Sequence, residues 1–254
     1  MKKLGTTLLF CFSLLVSGQG LEGNFILSGF GGQFERYNDQ FLSPNRYSGF
    51  SGSAVIGWHH LNEKWIDKLD FRGEGGWQNI EGISAVNQTL SLVGRLHYSL
   101  AYQIYRRNGN RLFAGLQSAN YFNFREHNQF QNSANVNTGF FSYGPSLSYI
   151  FSAPATWPSI LPRFAWQSSA FIGLGSLLMR PAFTRAYREG LPAIIEHRFI
   201  GALQHWEFRH NLIYRLKNGN QIRLAYQWNY QASESPLSQA LGSHTLELQL
   251  FFKL

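Results

Sequence analysis

Histidines, carboxylates and arginines recur two residues apart along this chain, and that spacing limits the chemistry they can do. His97 and Ser99 flank Tyr98, so on an extended backbone the imidazole and the hydroxyl share a face, as a base activating a serine nucleophile requires. His205, Glu207 and Arg209 stand in the same relation, as do Asp70, Arg72 and Glu74. Arg95 precedes His97 by two, and Arg223 and Glu247 occupy polar positions between apolar neighbours. Three chemistries are open to such sets: metal ligation by His and Glu, acyl transfer through His and Ser, or an ion-pair network of mixed acids and bases. Arg209 beside His205-Trp206-Glu207 favours the ion-pair network over a metal. His59-His60 sends one ring to each face and suits neither a metal site nor a dyad. No metal and no other cofactor is expected.

Those positions belong to long stretches with a period of two. From Asn87 to Tyr105, Leu90, Leu92, Leu96, Tyr98, Leu100 and Tyr102 fall on one parity, with Ser91, Arg95, His97 and Ser99 on the other. Side chains alternate faces along a strand, so the stretch has one apolar face and one polar face. It is far longer than the ~5–6 residues of an ordinary strand. In Gln221–Gln231, Ile222, Leu224, Tyr226, Trp228 and Tyr230 oppose Gln221, Arg223, Gln227, Asn229 and Gln231. At the C-terminal end Leu246, Leu248, Leu250, Phe252 and Leu254 alternate with Thr245, Glu247, Gln249, Phe251 and Lys253.

Composition narrows the fold class. Of 254 residues, 44% are hydrophobic, 16% aromatic and 14% charged. The first figure excludes disorder, and the last is well short of the ~25% of an ordinary globular chain. No run of about 18 apolar residues offers a membrane helix. Sandwich strands alternate too, but they are short and carry charge outward. Here the polar face holds Ser, Thr, Asn, Gln and Gly with scattered charges. The apolar face is Leu, Tyr, Trp and Phe. A transmembrane antiparallel up-and-down barrel, with lipid outside and a polar lumen inside, fits that pattern.

The first twenty residues read as an address. Lys2 and Lys3 precede an apolar run from Leu4 to Val16, followed by the small Ser17, Gly18 and Gly20. That is the form of a secretory signal peptide, leaving 21–254 as one barrel domain. Cys11, the single cysteine, follows Leu8, Leu9 and Phe10 rather than the small residues that precede a lipidated cysteine, so the mature chain has no disulfide. Without Lys2 and Lys3, 20 basic residues face 14 acidic ones. They are scattered, not run together, and nucleic acid is not an expected partner.

Ten strands are expected, at roughly 24–36, 50–61, 67–79, 87–105, 111–125, 137–151, 163–179, 197–216, 221–232 and 243–254, with eight or twelve as alternatives because the glycine-rich first strand alternates poorly. Asn62–Trp65, Arg107–Asn110 and Lys217–Asn220 are short connections, two of them with the Asn-Gly hairpin signal. Tyr37–Ser48, Glu126–Val136, Arg180–Glu196 and Ala232–Gly242 read as long polar connections on the opposite side. An even strand count puts both termini with the short turns, on the periplasmic side.

Signal peptide, alternating strands, short turns and the ending Leu250-Phe251-Phe252-Lys253-Leu254 together resemble bacterial outer-membrane β-barrel proteins, over essentially the whole mature chain. The resemblance implies a multi-pass barrel in the outer membrane, surrounded by lipid and lipopolysaccharide and inserted by the barrel-assembly machinery. The last strand departs from the commonest form of the insertion signal, since Phe252 lies two residues short of the end. His97-Tyr98-Ser99 is also similar to the His-x-Ser of outer-membrane lipid A deacylases, which continue with Asn where this chain has Leu100. Those enzymes present the pair to the membrane, whereas alternation here turns both side chains to the lumen.

Alternation assigns Asp70, Arg72, Glu74, Arg95, His97, His205, Glu207, Arg209, Arg223 and Glu247 to the inward face. Mixed charges of this kind can pair and fill a small barrel, which is the expected arrangement. A narrow porin-like solute path tuned by the same residues is the alternative, and a lipid hydrolase using His97 and Ser99 a second one. The loop residues Arg180, Arg185, Arg188 and Tyr187 could bind lipopolysaccharide phosphates or an acidic glycan, or form an ordinary solvated loop. Function at the surface, through a ligand or an envelope protein partner and without catalysis, is the expectation.

Overall fold

The computed structural model describes residues 21–40, 43–82, 88–127, 135–153, 163–181, 193–200, 202–233 and 238–254; the expected signal peptide, residues 1–20, lies outside them. The described chain is all-β, in twelve strands: β1 Gly23–Asp39, β2 Ser43–Leu61, β3 Trp65–Ile80, β4 Gln88–Arg107, β5 Asn110–His127, β6 Asn135–Ser152, β7 Phe164–Ile172, β8 Gly175–Pro181, β9 Ala193–Phe199, β10 Leu203–Arg215, β11 Gln221–Ser233 and β12 Gln239–Lys253. Every pairing is antiparallel; β1 to β7 pair in sequence order, β7 pairs onward with β10, β10 with β11 and β11 with β12, and β12 returns to β1, from Phe25↔Lys253 to Asp39↔Gln239. The wall therefore closes.

The ring has ten staves, because two of them are built from two strands each. β6 pairs with β7 as far as Ser146↔Phe171 and with β8 from Tyr143↔Gly175 onward, so β7 and β8 form one stave bent at Gly173-Leu174. On its other side β7 pairs with β10 and β8 with β9. The expected strands at 163–179 and 197–216 are thus each broken in two. Hydrogen bonds from Gly173 N to His205 O, 2.8 Å, and from Ile200 N to Leu174 O, 2.9 Å, carry the wall across the break.

Two connections expected to be long are short. β1 and β2 remain paired to Asp39↔Ser43, and β11 and β12 to Ser233↔Gln239. Polar residues at the strand ends continue the ladder above the apolar band, since their backbone groups gain partners there at no cost in side-chain burial. The expected loop at Arg180–Glu196 also gives up residues at both ends to β8 and β9. At the opposite, lower end lie the turns and both ends of the barrel domain. Asn108 and Gly109 turn β4 into β5 with φ of 48° and 82°, the left-handed pair of a type I′ hairpin.

Burial is inverted relative to a soluble fold. In β12, Leu248 and Leu250 are 41% and 38% exposed while Glu247 and Gln249 are 2% and 0%. Aromatic rings cluster toward both ends of the outer face. Phe34 and Phe50, 5.0 Å apart, stand with Trp77 and Trp228 above, and Trp58, Trp65, Tyr102 and Trp166 below. Apolar wall, aromatic girdles and polar interior make this a transmembrane barrel of the outer-membrane type. A charge on the mid-wall should accordingly cost far more than on a water-facing strand. Leu248→Arg is expected to lose about 2–4 kcal/mol of stability in lipid vesicles, read by reversible urea unfolding.

Candidate functional site: a filled lumen

The interior is stacked in layers. Toward the upper end Tyr37, Tyr47, Val93, Tyr121, Phe140, Leu178, Leu203 and Leu241 pack together, with Tyr37 and Tyr47 stacked 4.7 Å apart. Toward the lower end Ile66, Phe113, Ile150, Ala165 and Ile213 join Leu21 and Leu61 in a second apolar cluster. Charged and amide side chains occupy the space between. A ten-stave ring is narrow enough for side chains from opposite walls to meet, and the pairs that form are far apart in sequence.

Two of them are bidentate. Arg95 reaches Glu74 through Nε at 2.9 Å and Nη2 at 3.2 Å. Arg72 reaches Glu247 through Nε at 2.7 Å and Nη2 at 3.0 Å, and its Nη1 donates to Gln227 at 2.8 Å. Asp70 bridges His59 at 2.6 Å and Arg209 at 3.0 Å. Glu207 gathers His205 at 3.2 Å, His97 at 3.3 Å and Gln117 at 2.8 Å. Arg223 has no acid among the described residues. It donates to Gln221 at 2.6 and 3.0 Å and lies 3.5 Å over the ring of Phe251.

Alternation marks ten of these residues and misses others. Glu35 accepts from Arg125 and Gln78, both at 2.7 Å, and the Arg125 guanidinium lies 3.5 Å over Tyr37. Lys68 and His59 face inward as well. Continuing the odd parity of β1 and β5 and the even parity of β3 finds Glu35, Arg125 and Lys68. Glycines at 29 and 31 hide the phase of β1 because no side chain fits there: a Cβ on Gly31 would sit 2.0 Å from Leu246 O.

His97 and Ser99 both line a cavity of about 40 Å³, but the contact His97 makes is with Glu207. The cavity is bounded below by Ile66 and Ala101. His60, on the outer face, bonds Asn24 at 2.6 Å. No group of three or more His, Cys, Asp or Glu is arranged to hold a metal among the described residues. Arg185, Arg188 and Tyr187 lie outside the described residues, as does the side chain of Arg180 in β8.

The charge network gives a direct test. Arg95→Met strands Glu74 in the interior and is expected to cost about 3–5 kcal/mol, whereas Arg95→Met with Glu74→Met should recover most of that loss. Equilibrium unfolding of the three variants in one detergent measures the coupling, and equal losses in single and double variants would speak against a buried pair.

No protein-family model matches the chain, and no curated protein sequence matches it. Among solved structures it is similar to the translocator domain of the autotransporter NalP from Neisseria meningitidis, at 9% identity and a TM-score of 0.44, covering 100% of this chain and 95% of that one. It is also similar to Neisserial surface protein A, at 8% identity and TM-score 0.40, covering 92% and 100%. The Pseudomonas putida toluene transporter TodX aligns at 7% identity and TM-score 0.35, over 95% and 94%.

Proposed function

We propose that this chain is a non-enzymatic, integral protein of the bacterial outer membrane, delivered behind a cleaved signal peptide, whose barrel is a closed scaffold for its upper rim. The supporting observation is the lumen, where an ion-pair layer lies between two apolar layers. A solute would have to displace paired charges and packed rings together. In this reading both termini are periplasmic, together with the turns, and the upper connections face the medium. There they meet lipopolysaccharide and a surface ligand or envelope protein partner, with Arg180, Arg185, Arg188 and Tyr187 the basic, aromatic contact set. The alternating β12 is what the barrel-assembly machinery would engage.

A narrow solute path is the second reading, favoured by one feature. The inner wall of β6 and β7 is small, with Ser142, Ser146, Ser148 and Ser169, and the cavity lies against it. Planar-bilayer recording separates the two. The closed scaffold predicts no current steps from the wild type, and small steps only after both apolar layers are opened by Phe113→Ala, Ile150→Ala, Tyr121→Ala and Phe140→Ala. Steady unit currents from the wild type would establish the path instead. For catalysis, Ser99→Ala is expected to leave acyl release from lipid A at the wild-type background level. A fall in acyl release with Ser99→Ala would revive the dyad.

A further inference from the structure

Two successive rungs of the ladder cross the outer face just above the upper aromatic girdle. The first is Tyr230↔Gly242↔Arg36, on β11, β12 and β1. The second is Ala240↔Asn38↔Arg46, on β12, β1 and β2. These six residues line one pocket. They share the parity of Tyr226, Phe30 and Phe50, all exposed on the outer wall, so the pocket opens outward and not into the lumen. Phe34 lies two residues below Arg36 on β1, and Trp228 two below Tyr230 on β11.

Gly242 is the floor of that pocket, and the barrel itself does not require a glycine there. Its φ is not positive, and a Cβ would meet no atom within 4 Å. Glycine weakens a strand, and one inside a strand often marks the close approach of a ligand. With Ala240 beside it, β12 leaves a low track between β11 and β1, strands about 10 Å apart. The surrounding charge is positive. Glu81 meets Arg36 at Nε, 2.5 Å, and its backbone N–H donates to the Arg46 carbonyl at 2.8 Å. Neither Nη of Arg36 nor the Arg46 guanidinium has an acidic partner among the described residues. Two guanidiniums against one carboxylate leave a surplus of one positive charge among the described side chains there.

We propose that this pocket seats a phosphorylated glycolipid of the surrounding leaflet, the lipid A part of lipopolysaccharide, through a phosphate held by Arg36 and Arg46. A guanidinium presents paired N–H donors to phosphate oxygens, and such charge-assisted bonds are the strong ones. Aromatic rings mark the level at which hydrocarbon gives way to headgroups. A headgroup seated just above Phe34, Phe50 and Trp228 therefore has its acyl chains level with the apolar wall. A free phosphate would meet the arginines but gain nothing from that wall. The proposal rests on the reading that the upper rim faces the medium. It deepens that reading by placing a lipid contact on the wall itself, apart from the loop set of Arg180, Arg185, Arg188 and Tyr187.

Native mass spectrometry of the detergent-solubilised protein, titrated with bisphosphorylated lipid A, tests it. Wild type should bind, and Arg36→Gln with Arg46→Gln should weaken binding about tenfold or more. Gly242→Leu keeps every charge but fills the floor, and a comparable loss is expected; unchanged binding there would overturn the pocket. Lipid A stripped of its phosphates should bind wild type no better than the intact lipid binds the double variant. Phosphatidylglycerol bound as tightly as lipid A would contradict a glycolipid site. Arg180→Gln, Arg185→Gln and Arg188→Gln together should leave the titration unchanged. If they abolish binding while the Arg36 and Arg46 double variant keeps it, the loop reading stands and this site falls.

Discussion

Hydrocarbon accepts no hydrogen bonds, and every other feature of this barrel follows from that. A backbone N–H or C=O facing lipid without a partner costs several kcal/mol, so a spanning sheet must have no edge. β1 and β12 meet that demand with a ladder running from Phe25↔Lys253 to Asp39↔Gln239. It also explains how the wall tolerates a break in a stave. At Gly173-Leu174, where β6 passes from β7 to β8, the freed amides find carbonyls on Tyr143 and His205 within 3.0 Å. Irregular backbone persists there because its polar groups are satisfied by neighbouring staves.

Closing ten staves creates a second constraint on the inside. The ring is too narrow to leave a wide aqueous channel and too wide to be filled from one wall, so long side chains from β3, β4, β10 and β12 extend toward one another. Arginine suits this space because its planar fork bonds a carboxylate at two points and its face stacks on a ring, as Arg72 does on Glu247 and Arg125 on Tyr37. Ion pairs of this kind add less to stability than their number suggests, because each charge has left water. Their stronger effect is on specificity, since one partner alone leaves a buried charge.

The period of two made the wall legible in the sequence. It gives the inward and outward faces of β4, β11 and β12 and the inward direction of Arg95, Glu207 and Glu247. It fails where glycine removes the marker. Across Gly173-Leu174-Gly175 the inward parity changes from odd, with Phe171, to even, with Ser176 and Leu178. Residues without side chains cannot announce that shift, so two strands look like one. Pairing across the lumen is invisible for another reason: Arg125 and Glu35 are 90 positions apart and meet only because the ring closes. Loop length is not legible in the sequence, because polar composition marks where lipid ends, not where the ladder ends.

The claim beneath all of this is that lipid touches one parity of β12 and packed protein the other. Single cysteines carrying a nitroxide at residues 246 to 250, in a chain whose single native cysteine, Cys11, is replaced by serine, would measure it in lipid vesicles. The expected result is a sawtooth: 246, 248 and 250 accessible to oxygen and shielded from a water-soluble nickel reagent, 247 and 249 shielded from both. Nickel access at 246, 248 and 250, or equal oxygen access along the whole segment, would contradict a lipid-facing wall.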